Sequence, residues 1–296
     1  MLKYKNIGIV AITTILAMTV AACGGNETAS PPVGTTQNSI GTTAAPTTAA
    51  LPATTPAPDA MLKLVNTASA GMNSFESASR VVMNMSLMGF TMNADMTATM
   101  TVDVSGKKFF MGLTSQTNAA GQAASMTEQM YLISDTLYML TNSPDSGLNP
   151  TTWYKKTLAG TDLTDMWRTQ DVGSQIQTLL DSAALQIVGT ETVSGIQCFK
   201  LKISPNLDKF LAYLSASGND LSTLGINPAT QTFNQLDVNI WVNKANYLPV
   251  KMDIGMAFDA QGMTINMTTS STFDKVNQPV SIVLPSAAQA ALPMPG

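Results

Sequence analysis

The 296-residue chain contains no histidine. That absence removes Ser-His-Asp and Cys-His nucleophilic sites and the common histidine-containing zinc sites. Cysteine is nearly missing as well: Cys23 lies near the start and Cys198 stands alone in the remainder, so no intramolecular disulfide is expected after Cys23. Charge is scarce, at 11% of residues with a formal net charge of −4. A mildly acidic chain without a basic patch is a poor partner for nucleic acid or for anionic lipid headgroups. Phosphate-cradling glycine loops, the G-x-S-x-G nucleophile turn and the EF-hand loop are missing too. One formal S-x-x-K match, Ser105 with Lys108 in "SGKK", sits in a predicted β-turn, whereas that chemistry needs a helix start that brings the lysine beneath the serine. Asp95 and Asp103 fall on the polar face of their predicted strand and read as solubilising. No catalytic residue, metal or cofactor is expected, and the chain does not read as an enzyme.

Among the features present, the first is a targeting segment. Lys3 and Lys5 precede an apolar run over 7–20, about 14 residues against the ~20 that a membrane-spanning helix needs. The run closes on "VAAC", ending at Cys23, which resembles the bacterial lipobox. The resemblance implies removal of residues 1–22 as a lipoprotein signal peptide, a diacylglyceryl thioether on the Cys23 sulfur and an acylated amine. An ordinary secretory cleavage beside a cysteine is the alternative. One acyl chain holds a protein marginally and two hold it stably, so Cys23 is the expected membrane anchor. The mature chain would carry a net charge of −6, with thirteen basic against nineteen acidic residues. Its expected location is extracytoplasmic, on the outer face of the cytoplasmic membrane or on the outer membrane of a two-membrane cell.

Residues 23–60, beginning at the anchor, are rich in Thr, Ala and Pro and almost uncharged, a composition that cannot bury enough apolar surface to order itself. They read as a disordered tether. Residues 61–285 suit one β domain, followed by a tail over 286–296. The domain opens with helical spacing at Leu62, Val65, Ser69 and Met72 after a candidate N-cap, Asp59. Strands are predicted over 80–87, 90–104, 109–113 and 152–156, with a hairpin over 128–140 about Ser134 and Asp135. Two further helices are predicted, at Ile176, Leu179, Leu180 and Ala183, and at Leu207, Phe210, Leu211 and Leu214. Between them lies the strand pair of "TVSGIQCFKLKI". Three more strands are predicted over 236–271, and "PVSIVLP", 279–285, completes the set. Within the strand pair, Cys198 reads as a small packed side chain rather than a reactive thiol.

Three segments resemble known proteins. "ETVSGIQCFKLKI" (191–203), "IWVNKANYLPVKMDI" (240–254) and "STFDKVNQPVSIVLP" (271–285) are similar to the periodic strands of LppX- and LprG-like exported lipoproteins and, more distantly, of LolA-like lipoprotein carriers. The resemblance implies an α+β fold of mostly antiparallel strands. In that fold a strongly curved half-open β-barrel has about three helices covering or plugging its concave face, around an apolar cavity for acyl chains.

The stretch "FTMNADMTATMTVDV", 90–104, alternates apolar and polar residues without a break. Phe90, Met92, Ala94, Met96, Ala98, Met100 and Val102 share one face, with Met252, Ile254 and Met256, and Met263, Ile265 and Met267, patterned alike on two later strands. Ordinary core is one reading. Cores that specify a single packing favour Leu, Ile, Val and Phe, while flexible methionine suits surfaces that fit several apolar partners. These residues are therefore the expected lining for a hydrophobic ligand such as a palmitate-like acyl chain. The alternatives are a structural or interaction lipoprotein with a closed core, and a thioether copper(I) site that includes Met83 and Met85. Protein partners are not legible in the sequence.

Overall fold

The computed structural model describes residues 55–87, 90–119, 121–160, 183–205, 232–260 and 263–295, together with Leu180. A first helix, α1 (Pro58–Ala70), has Ala57 as its N-cap residue and proline within its first two positions, where a missing N–H costs nothing. Asp59 lies in the first turn, not at the cap, and its carboxylate favours the positive helix end. The buried stripe is Met61, Val65 and Ser69, and it continues to Met72 beyond the helix end.

Twelve strands form one sheet in the order β12-β6-β5-β4-β3-β2-β1-β11-β10-β9-β8-β7, with β12 and β7 left as unjoined edges among the described residues. They are β1 (Ser74–Leu87), β2 (Phe90–Asp103), β3 (Lys108–Ala119), β4 (Gln122–Ile133), β5 (Thr136–Thr141), β6 (Tyr154–Thr157), β7 (Ala184–Val193), β8 (Ile196–Ser204), β9 (Thr232–Asn243), β10 (Pro249–Ala260), β11 (Met263–Asp274) and β12 (Leu292–Pro293). Every pairing is antiparallel except β12 with β6. Two meanders, β1 to β6 and β7 to β11, are stitched together where β1 pairs with β11, from Glu76 opposite Asp274 to Leu87 opposite Met263. The sheet is thus mostly antiparallel and open, with α1 and a second short helix, α2 (Ser286–Gln289), as the helices among the described residues. The predicted helices at 176–183 and 207–214 lie outside the described residues, apart from Leu180, which is helical and fully buried, and Ala183, which packs against the same core.

The turns arise from local chemistry. Ser194 and Gly195 both take positive φ, 48° and 82°, between β7 and β8, which gives the strand twist that a two-residue hairpin needs. Asp103 accepts hydrogen bonds from the Ser105 hydroxyl (2.9 Å) and the Gly106 N–H (2.8 Å). "SGKK" is therefore a carboxylate-built turn, and Asp103 holds it together rather than merely facing water.

One expectation needs correction. The segment 279–285 makes no strand: proline stands at both its ends, and instead of joining the ladder it lays Ile282 and Leu284 on the outer face of the sheet. The outer face is also not uniformly wet. Phe110, Tyr131, Ile133, Tyr138 and Trp153 form an apolar patch over β3 to β6, with Tyr131 centred 4.7 Å from Phe110 and 5.8 Å from Trp153. Residues 286–294, taken from sequence as a tail, pack there. Ala288 and Ala291 are buried, and the N–H groups of Leu292 and Met294 donate to the carbonyls of Trp153 and Lys155, each at 2.9 Å.

A second outer patch covers β7 to β10. Lys200 and Lys251 stand 4.8 and 4.4 Å from the Trp241 ring centre, and the Trp241 indole N–H donates to Glu191 at 2.8 Å. That indole donor, helped by Lys200, holds the Glu191 carboxyl below its ordinary range. Tyr247, at φ 59°, stacks on Phe199. Tyr247 and Lys251 of "YLPVKM" are thus packing residues.

Candidate functional site

Strand parity places the expected lining on one face, the inner one, and the register sets it side by side. Met83 of β1 faces Ala94 of β2 on one side and Met267 of β11 on the other; Met267 in turn faces Met256 of β10. One step along, Met85 lies between Met92 and Ile265, and Ile265 faces Phe258. Ala94, Met96, Met100, Val102, Met252, Met256, Ile265 and Met267 are buried, and Met92, Ala98, Ile254 and Met263 are half-buried. Phe90 is the exception: at the end of β2 it is 68% exposed, beyond the covered wall.

The inner face divides into two clusters of different composition. The first holds α1's Met61 and Val65, Leu180, and residues from β1 to β5 and β8 to β11; methionine supplies four of its nineteen buried members. In the second, formed by Val81, Met83, Ala94, Met96, Leu113, Met126, Met256, Phe258, Ile265 and Met267, it supplies five of ten, with Met85, Met92 and Met263 packed alongside. No described helix residue belongs to this second cluster. The rigid, rotamer-poor side chains thus sit where α1 packs, and the adaptable ones sit along the far half of the wall.

Between the clusters the wall turns polar. Ser79 and Ser271 share a hydroxyl hydrogen bond of 2.8 Å, and Thr269, 2% exposed, has no partner for its Oγ1 among the described residues. The row that starts at Ser79 runs on through the apolar Ala98 of β2 and Leu113 of β3 and ends at Glu128 of β4, opposite the buried Thr141 of β5. Burial raises the Glu128 carboxyl above its ordinary range.

Sequence reasoning missed Met111, Met126 and Met130, which extend the wall across β3 and β4, and it missed Glu128. The signal was there. In "MYLI" and "LYML" both parities are apolar, which marks strands covered on both faces and hides which parity faces the ligand side. Two described depressions, about 540 and 340 Å³, lie against the outer faces of β2 to β4 beside Asn93, Asp95, Gln116 and Thr99, not along the methionine wall. Among the described residues no group of three His, Cys, Asp or Glu side chains is placed to hold a metal ion.

Fold and wall define a class: an open antiparallel sheet with one apolar, methionine-rich face. Residues 57–292 match a family of unknown function, DUF6612, and the chain belongs to that family. No curated protein matches it in sequence. Its structure is similar to that of LprF from Mycobacterium bovis, at 11% identity and a TM-score of 0.43, covering 78% of this chain and 99% of that one. It is also similar to the lipoprotein LppX of Mycobacterium tuberculosis, at 14% identity and TM-score 0.35 over 76% and 97% of the two chains. A LolA superfamily protein from Nitrosomonas europaea is similar at 10% identity and TM-score 0.23, over 78% and 96%. Superpositions this loose give no residue correspondence.

Proposed function

We propose that the protein is an exported lipoprotein, anchored through Cys23, that shelters a lipid or other hydrophobic ligand against the methionine half of its inner wall. In this reading the open sheet curls as a half-barrel, the residues between Cys23 and the start of α1 at Pro58 are the tether, and the domain reaches away from its membrane. The observation that carries the proposal is the segregation of methionine into the cluster without a described helix. A uniformly packed core has no reason to sort its side chains in this way.

The magnitudes allow such a ligand to exchange without an energy source. A 16-carbon chain gains about 12 kcal/mol on leaving water, at ~0.8 kcal/mol per methylene, and a membrane offers nearly the same. Transfer between the two is then close to balanced. The reading is of a binder: Ser105 sits in the turn built by Asp103, while Lys108 opens β3, so the formal S-x-x-K match lacks the helix start that its chemistry needs.

A second reading, a tethered interaction domain with a closed core, draws support from Met83 and Met96, which have no exposed surface. One experiment separates them. The chain from residue 24 onward, which contains every described residue, is purified without detergent, its bound lipids are extracted for mass spectrometry, and the stripped protein is titrated with the neutral fluorophore N-phenyl-1-naphthylamine. Co-purified lipid and saturable binding are expected; neither would be seen with a closed core.

A further inference from the structure

Glu128 is the one acidic side chain that register places on the inner wall among the described strands. Its neighbours on that face are Met126 and Met130 along β4, Leu113 on β3 and Thr141 on β5. No described residue gives its carboxylate a hydrogen bond or an ion pair, whereas Arg80 and Asp95, Lys275 and Glu76, and Lys251 and Asp253 are paired elsewhere. An unpaired carboxylate against thioethers costs stability, and the rise in its pKa expresses that cost. A core built for stability alone would carry leucine or methionine there.

The position in the sheet is also particular. β5 ends at Thr141, opposite Glu128, so the remaining β4 residues, 122–127, have no strand beyond them among the described residues. Asn142 closes the step, accepting from the Thr127 N–H at 2.6 Å and donating to the Thr127 carbonyl at 3.1 Å. Glu128 thus stands at a shoulder where the wall narrows and water reaches its edge, while the methionine cluster extends from it toward the far ends of β1, β2, β10 and β11. From Glu128 to Gln122 the wall runs about 20 Å at ~3.3 Å per residue, room for a long acyl chain laid along it.

We propose that Glu128 is a specificity residue of the site, accepting a hydrogen bond from an amphiphile whose head is cationic or a hydrogen-bond donor, an amine above all, while its tail lies on the methionine wall. The carboxylate without a described partner and its place beside Thr141 fit such a head; an anionic head, carboxylate or phosphate, is repelled. The inference rests on the binding function proposed above and adds the ligand's head chemistry to it.

The test displaces N-phenyl-1-naphthylamine from the chain of residues 24–296 with dodecylamine or dodecanoic acid, each below its micelle concentration at pH 7.4. The wild-type chain is expected to favour the amine by about tenfold or more, the value of one charge-assisted hydrogen bond. Glu128→Gln and Glu128→Leu should bind the fluorophore as before and lose most of that preference. Asp59→Asn, which removes one negative charge from the exposed first turn of α1 and touches no member of the methionine cluster, should keep it. Equal ranking of the two heads by the wild-type chain, or loss of the preference in Asp59→Asn as well, overturns the role of Glu128 and leaves the apolar site standing. Absence of fluorophore binding by the wild-type chain overturns both.

Discussion

Ala94 and Ala98 keep side-chain volume low in the β2 stripe, opposite Met83 and Ser79. Enlarging Ala94 to Phe distinguishes a sheltered space from a filled core. With space beside Met83, Ala94→Phe should weaken fluorophore binding at least fivefold while leaving the melting temperature nearly unchanged. In a filled core it would cost about 1–3 kcal/mol, a loss of several degrees in a scanning calorimeter. Glu128 bears on stability as well as specificity. Its carboxyl pKa is raised in the folded chain, so ionisation opposes folding: the acid form's contribution is complete below the unfolded pKa and fades as pH rises through the folded one. Glu128→Gln is therefore expected to raise the melting temperature at pH 7.5 and to leave it unchanged at pH 3. Cys198 is fully buried, donates weakly to the Ile196 carbonyl at 3.4 Å, and has its pKa raised by burial. It should react with a thiol reagent only after denaturant unfolds the chain.

Among the elements, the C-terminal segment departs most from its sequence reading. It lacks the alternation of a strand and the spacing of a long helix, so nothing local announces that Ile282, Ala288 and Ala291 cover Tyr131 and Trp153. Removing residues 286–296 strips Ala288 and Ala291 from this cover, together with two backbone hydrogen bonds to Trp153 and Lys155. The loss is expected to be about 3 kcal/mol at ~25 cal/mol per Å² of apolar surface uncovered, with Trp153 newly open to iodide quenching. Unchanged quenching would mean that the aromatic patch does not depend on the segment. By contrast, α1 and the hairpin about Ser134 and Asp135 were readable, the helix from its three-to-four spacing and the turn from residues that tolerate positive φ; Ser134 adopts 60°. Strand ends were read less well. β1 starts at Ser74 and β3 runs to Ala119, since Ser, Thr, Gln and Asn join a ladder when neighbouring strands hold them, whatever their own preference.

At the scale of the whole molecule, the proposed anchor and wall divide the work between membrane attachment and ligand shelter. The proposed tether, residues 24–57 ahead of α1, would span about 30–35 Å if it behaves as a flexible coil, enough for the domain to turn its wall toward or away from the bilayer. Cys23→Ala is expected to abolish incorporation of labelled palmitate and to move the protein from the detergent phase to the aqueous phase in a phase-separation assay, with fluorophore binding intact. Retention in the detergent phase would point to attachment by another route.

The sequence by itself determined that Met92, Met96 and Met100 share a face, because side-chain direction in a strand alternates with a period of two and needs no information from elsewhere in the chain. It likewise determined the absence of histidine and the almost uncharged stretch after Cys23. Only the tertiary structure decided which strands stand beside that face: β1 meets β11 across nearly 200 residues, setting Met83 against Met267. It also decided that β3 to β5 are covered on both sides, and that Glu128 comes to rest on the apolar wall. Such placements depend on pairings between distant segments, whose free energy belongs to the assembled sheet and to no local stretch of residues.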